Sequence, residues 1–134
     1  MSQENVEIAK RFAEAYAGGQ AIERAFSVFA GDVVLHPFPE WVEASLYRGH
    51  DGVRMLSAVW TDNFDEFAIG VDDIRDLGDR VLLLGKTKGR IKGSGVPIQD
   101  PVGAVFSDFR DGRIGEAYFF SSWRQALEAA TTRE

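Results

Sequence analysis

The chain is expected to fold as an α+β protein, its helices gathered on one side of a strongly curved, mostly antiparallel sheet. Apolar residues recur at helical spacing up to about Phe64, then alternate one in two, and return to helical spacing only near the C-terminus. The alternating runs are joined by short turn signals, so neighbouring strands run antiparallel. Helices and strands that are sorted along the chain, rather than interleaved, are the mark of α+β.

Val6, Ala9, Phe12, Ala13 and Tyr16 make the apolar stripe of a first helix, with Ser2 as its N-cap and Gly18-Gly19 as its stop. Ile22, Ala25, Phe26 and Phe29 face one side of a short second helix. A short strand, Asp32 to His36, leads into an irregular loop rich in aromatics and proline, Pro37 to Tyr47. In "GHDGVRMLSAVWTDNF" a third helix takes Asp51 as its cap and buries Val53, Leu56, Trp60 and Phe64. Phe67, Ile69 and Val71 then alternate, "DLGDR" turns the chain into "VLLLGKTKGRI", and "KGSGVP" turns it again into "QDPVGAVFSDF". "RDGR" is a hairpin signal leading to "IGEAYFFSS", and a closing helix runs from Trp123 to Ala130. A sheet bent this strongly cannot fill its hollow with its own side chains; the helices cover part of it and the remainder is expected to be a pocket.

With 134 residues, 45% of them hydrophobic, the chain reads as one domain, 1–134, able to bury a core without staples. It has no cysteine, so no disulfide frame and no thiolate metal site, and a reducing cytoplasmic location is compatible. "MSQENVEIAKRF" is too polar for a signal peptide, and no apolar run reaches the roughly 18 residues of a membrane span. A net charge of -6 argues against a nucleic-acid partner. The basic stretch "GKTKGRIK" alternates, which is the solvated face of a strand. "GKT" is not a phosphate loop, because the glycine required five residues before Gly85 is Arg80 and no helix follows.

His36 ends an apolar run just before Pro37-Phe38-Pro39. Two readings stand: a group titrating near neutral pH at a pocket mouth, or a strand end whose imidazole bonds a backbone carbonyl. His50, between Gly49 and Asp51, reads as support for the third helix. Two isolated histidines without clustered carboxylates make no metal site. Glu116, Tyr118, Phe120 and Ser122 share one face of the last strand, which is the pocket wall if that face is concave. Asp100, before Pro101, has two readings, a pocket acid or a solvated carboxylate at a turn, and the second is favoured. Phe38 and Trp41 are candidates for a lid.

The order of elements, with "AYAGGQ", "FAGDVVLHP", "YRGHDGV" and "FRDGRI", resembles the SnoaL-like branch of the nuclear-transport-factor-2-like superfamily over about residues 3 to 130. The resemblance implies a cone: a curved sheet wrapped around three N-terminal helices, a short C-terminal helix, and a mostly apolar pocket. The family holds isomerases, polyketide cyclases, epoxide hydrolases, dehydratases and non-catalytic binders, so its fold does not give function. Ketosteroid isomerases use a carboxylate base with a tyrosine and a protonated aspartate as oxyanion donors. Matching places Phe12 at the tyrosine and Val105 at the aspartate, neither a donor, so that activity is disfavoured. The epoxide hydrolases' Asp-Arg-Asp set is missing as well: the middle strand reads Lys86-Thr87-Lys88 and the last ends in Ser121-Ser122. Aligned on Pro37, His36 sits at or beside the isomerases' base position.

The expectation is therefore a cofactor-independent, metal-free protein that binds a small apolar or carbonyl-containing molecule. Its ligand would meet Phe12, Tyr16, Phe38, Trp41, Trp60, Val105, Ser107, Tyr118, Phe120 and Ser122. If it is an enzyme, it is of isomerase, cyclase or lyase type, with His36 and Tyr118 as catalytic groups. The alternative is a non-catalytic ligand-binding or association module. A homodimer through the convex sheet face is expected from Val102, Ala104, Phe106, Ala117 and Phe119, if these lie outside the pocket.

Overall fold

A computed structural model of the chain describes residues 2–16, 21–38 and 47–131. The elements are α1 (Ser2–Ala15), α2 (Ala21–Val28), β1 (Phe29–His36), β2 (Tyr47–Arg48), α3 (Gly49–Thr61), β3 (Phe64–Asp76), β4 (Val81–Ile91), β5 (Pro97–Ser107), β6 (Ile114–Phe120) and α4 (Trp123–Thr131). They form one open sheet in the order β2-β1-β6-β5-β4-β3. The expected meander is β3 to β6, all antiparallel, while β1 joins β6 in parallel and makes the sheet mixed.

Phe29 and Phe64 fit the helical stripes by spacing but open strands instead, Phe29 opposite Ile114 and Phe64 opposite Ile91. Each lies one to three residues past its helix end, where an apolar residue reaches the same core by either route. The cap of α3 differs too. Arg48 is its N-cap, and Asp51 lies inside the first turn, 2.9 Å from Arg54 Nη1. There it still opposes the positive end of the helix dipole.

The "RDGR" hairpin forms as its sequence requires. Arg110 and Arg113 exchange two backbone bonds of 2.9 Å. Asp111 and Gly112 both take positive φ, 53° and 75°, the conformation of a two-residue primed turn. Curvature comes from β3, whose register with β4 slips between Asp65 and Ala68 and again between Val71 and Asp73. Such bulges bend the strand that carries them. Gly85 sits opposite the second bulge, and a Cβ there would run into the carbonyl oxygen of Gly70.

Which side of each strand faces the helices is set by two separate apolar clusters. The inner cluster joins Phe12 and Tyr16 of α1, Leu56 and Trp60 of α3, Val33 and Leu35 of β1, Leu83 of β4, Val102, Ala104 and Phe106 of β5, and Ala117 and Phe119 of β6. The outer cluster joins Leu82, Leu84 and Val105 with Ala126 and Ala130, and α4 covers it with Trp123 and Leu127. The convex face is thus not the bare apolar patch expected. Val102, Ala104, Phe106, Ala117 and Phe119 are core residues, and helix α4 already shields the outer apolar side of β4 and β5.

Tyr16 shows how the core treats a polar group. Its hydroxyl pairs with that of Ser57 at 2.8 Å inside the protein. Burial pushes the phenol up to about 12 from an ordinary 10.0, the Ser57 bond opposing it weakly. Between these two values the unfolded chain ionises while the native one does not. This stabilisation is complete below pH 10 and drains away as pH rises towards 12, by about 3 kcal/mol for two units. Urea midpoints measured from pH 9 upward should therefore fall more steeply for the wild type than for Tyr16→Phe. Parallel slopes would mean the phenol is not desolvated.

Candidate functional site

The residues that bear on the expected site gather in two places, on opposite faces of the sheet. On the inner face is a cavity of about 410 Å³, within the size range of small-molecule sites. Its apolar wall is Phe38, Val59, Trp60, Phe64, Ile98, Pro101 and Val102, and its polar groups are Thr87, Asp100 and Ser121. Trp60 anchors the wall: its ring stacks on Phe67 at 5.1 Å, meets Tyr16 and Phe119 edge-on, and has Phe38 at 6.4 Å. Strand alternation supplies the polar groups. Asp100 shares its face of β5 with Val102, and Thr87 is its register partner on β4. The Thr87 hydroxyl donates to the Asp100 carbonyl at 3.4 Å, leaving the exposed carboxylate at the cavity rim.

The second place is on the outer face, where β1 and β6 run side by side. His36 pairs with Tyr118 in register, and their rings stack at 3.8 Å, tilted by only 5°. His36 Nε2 donates to Glu116 Oε2 at 2.7 Å, and the Tyr118 hydroxyl donates to the same oxygen at 3.1 Å. Partial burial first, and the Glu116 carboxylate second, raise the Tyr118 phenol above its ordinary value, so it stays the donor. A carboxylate that fixes one ring nitrogen orients an imidazole for proton transfer. Loss of either partner should destabilise the protein by no more than about 1 kcal/mol, since both are part-exposed. A double-mutant cycle of His36→Ala and Glu116→Gln in urea should return a coupling of that size; a zero coupling would deny the pair.

The expected ligand residues divide accordingly. Phe38 and Trp60 line the cavity. Phe12 and Tyr16 are buried beneath it in the core, with 2% and 1% of their surface exposed. His36, Tyr118, Val105, Phe120 and Ser107 belong to the opposite face, because alternation from the inward Leu35, Phe119 and Phe106 turns them outward. His36 and Tyr118 do converge, then, but away from the cavity. Ser122 caps α4, its Oγ accepting from the Gln125 backbone N–H at 3.2 Å. Trp41 lies outside the described residues. Val105, facing outward, cannot stand at the isomerases' aspartate; its inward neighbours Ala104 and Phe106 offer no hydroxyl or carboxyl either.

Thr87 is legible in part from the sequence, since it alternates with the solvated Lys86 and Lys88; the inward face of Asp100, two residues from Val102, comes from the register of β4 with β5. His50 keeps its supporting role, donating to the Phe29 carbonyl at 3.3 Å and stacking on Phe26 at 4.7 Å. Among the described residues, no group of three His, Cys, Asp or Glu side chains could hold a metal, and no helix is long and apolar enough to cross a membrane.

A curved sheet closed on one side by helices, with an apolar cavity between them, defines the ketosteroid-isomerase-like or nuclear-transport-factor-2-like cone. The chain belongs to the SnoaL-like domain family, whose pattern matches residues 9–117. Solved structures of the same fold include a SnoaL-like polyketide cyclase assignment from Jannaschia sp. CCS1, 18% identical, covering 98% of this chain and 94% of that one with a TM-score of 0.75. A protein with a ketosteroid isomerase-like fold from Catenulispora acidiphila DSM 44928, in complex with trimethylamine, is 18% identical over 95% and 94% of the two chains, TM-score 0.73. TerC, co-crystallised with polyporic acid, is 17% identical over 96% and 99%, TM-score 0.72. No curated protein matches the chain.

Proposed function

We propose that this protein binds a small, largely apolar or carbonyl-containing molecule in the inner cavity. The observation that carries this reading is the cavity itself: about 410 Å³, with an aromatic wall and a few polar groups on one side. Trp60 is the expected anchor. Two-dimensional NMR against a set of small apolar fragments should give saturable shifts at the Trp60 indole and the Thr87 methyl. Shifts scattered over the surface, with none at these two residues, would sink the reading.

A second reading is proton-transfer catalysis on a carbonyl compound with His36 as base or acid. It is supported by the Glu116–His36 bond of 2.7 Å, and it puts the chemistry outside the cavity. Deuterium exchange into the α-carbon of cyclopentanone in D2O, followed by NMR, should be accelerated by the wild type and lost in His36→Ala and Glu116→Gln. No acceleration over buffer would leave the protein a binder. Isomerisation of ketosteroids stays disfavoured, since one missing oxyanion donor alone costs on the order of 100-fold in rate.

For assembly, a homodimer through the outer face remains part of the proposal on the strength of the family resemblance, the apolar core residues having dropped out of the case for it. What the outer face itself offers is the part-exposed Tyr118 ring beside β1. Sedimentation giving a monomer at micromolar concentration would remove it. A cytoplasmic location rests on the cysteine-free sequence.

A further inference from the structure

The fold relatives do not select the charge of the ligand: one holds trimethylamine and another polyporic acid. The residues of this chain do. Among the described residues the cavity lining carries one carboxylate, Asp100, and two hydroxyls, but no Lys, Arg or His. This follows from the strand pattern. On β4 the cations Lys86, Lys88 and Arg90 alternate with Gly85, Thr87 and Gly89, and only the uncharged set can share the face of Thr87. Lys86 is turned to the outer side, 5.3 Å over the Trp123 ring and 3.0 Å from Asp72. Arg90 is bound to Glu66 at 3.3 Å. Among the described residues no cation pairs with the Asp100 carboxylate.

Resting on the reading of the cavity as a ligand site, we propose that its preferred ligand is an organic cation, an amine or quaternary ammonium on an apolar body. The charge would sit against the Asp100 carboxylate at the rim, near the Phe38 ring, and the apolar body against Trp60 and Val102. Aromatic faces attract cations through their quadrupole, and a carboxylate adds a direct ionic contact. A carboxylate ligand would find no positive partner there and would meet Asp100 as a like charge. The net charge of -6 also raises the local concentration of cations over anions.

The test uses three probes of similar shape: benzyltrimethylammonium, its uncharged carbon isostere neopentylbenzene, and 3-phenylpropionate. Affinities are read from NMR shifts at Trp60 and Thr87, which exclude loose association with the acidic surface. The cation should bind about tenfold tighter than the isostere, the sum expected of one carboxylate and one aromatic contact at part-exposed positions. The anion should bind weakest. Asp100→Asn should remove most of that advantage, read as the ratio of cation to isostere affinity, without unfolding β5, because Thr87 holds the Asp100 backbone carbonyl and not its carboxylate. Asp111→Asn, the same charge change in a turn that accepts Asn-Gly, should leave the preference intact. Equal binding of cation and isostere, or preference for the anion, overturns the cation proposal while leaving the cavity a binding site. If none of the three perturbs Trp60 or Thr87 at millimolar concentration, the ligand-site reading fails and this proposal with it.

Discussion

Truncating Phe12 to alanine is expected to lower stability by about 3–5 kcal/mol, the range for a fully buried ring. Phe12 contacts four other rings, with centroids at 5.3 Å from Tyr16, 5.9 Å from Phe29, 5.1 Å from Phe106 and 5.8 Å from Phe119. It therefore ties α1 to β1, β5 and β6 at a single point. Urea unfolding should show a lower midpoint with an unchanged slope, as for a loss of packing without a change in the unfolded chain. A cost below about 1 kcal/mol would mean the core closes around the gap. The same geometry bears on function. Phe12→Tyr restores the hydroxyl that the isomerase resemblance lacks, but of the four rings around it only Tyr16 carries a polar group, and that hydroxyl is already paired with Ser57. The substitution should cost about 1–3 kcal/mol for an unsatisfied buried group and create no isomerase activity.

Gly85→Ala should be nearly as damaging, at about 3 kcal/mol, because the obstacle is backbone and cannot rotate away. A methyl group at this position meets the Gly70 carbonyl, beside the bulge that bends β3 around the core. The Gly85 carbonyl also accepts the Trp123 indole N–H at 2.9 Å, so a shift there reaches α4. Flattening the bulge would move β3 relative to Thr87 and the cavity. Thermal unfolding together with the binding of neopentylbenzene reads both effects. Unchanged stability would show that the bulge can be rebuilt around a side chain.

The helices, the strands of the meander and the "RDGR" hairpin could be read along the chain because each depends on neighbours a few residues away. Positive φ at Asp111 and Gly112 needs only a residue pair that tolerates it, and the stripe Val53, Leu56, Trp60 needs only helical spacing. Strand β1 was foreshortened and β2 missed, because a two-residue strand exists only through its partner, Tyr47 and Arg48 pairing with Leu35 and Val34. The site was harder. Phe38 and Trp60, expected from composition and position to meet a ligand, both line the inner cavity. Asp100 reads from sequence more readily as a turn carboxylate than as a pocket acid, since it stands beside Pro101 just after a turn signal; only its register with Thr87 shows which face it takes.

By itself the sequence determined the class, the order of elements, and that the two members of each neighbouring pair along a strand look to opposite faces. Only the tertiary structure decided which member of each pair looks inward. On β5 the run Val102-Gly103-Ala104-Val105-Phe106 is buried at every position, because α1 and α3 pack on one side and α4 on the other. A strand covered on both faces carries no polar alternation to mark its inner side, and a shift of one residue exchanges the two faces entirely. That exchange is what moved His36 and Tyr118 out of the cavity and brought Asp100 to its rim.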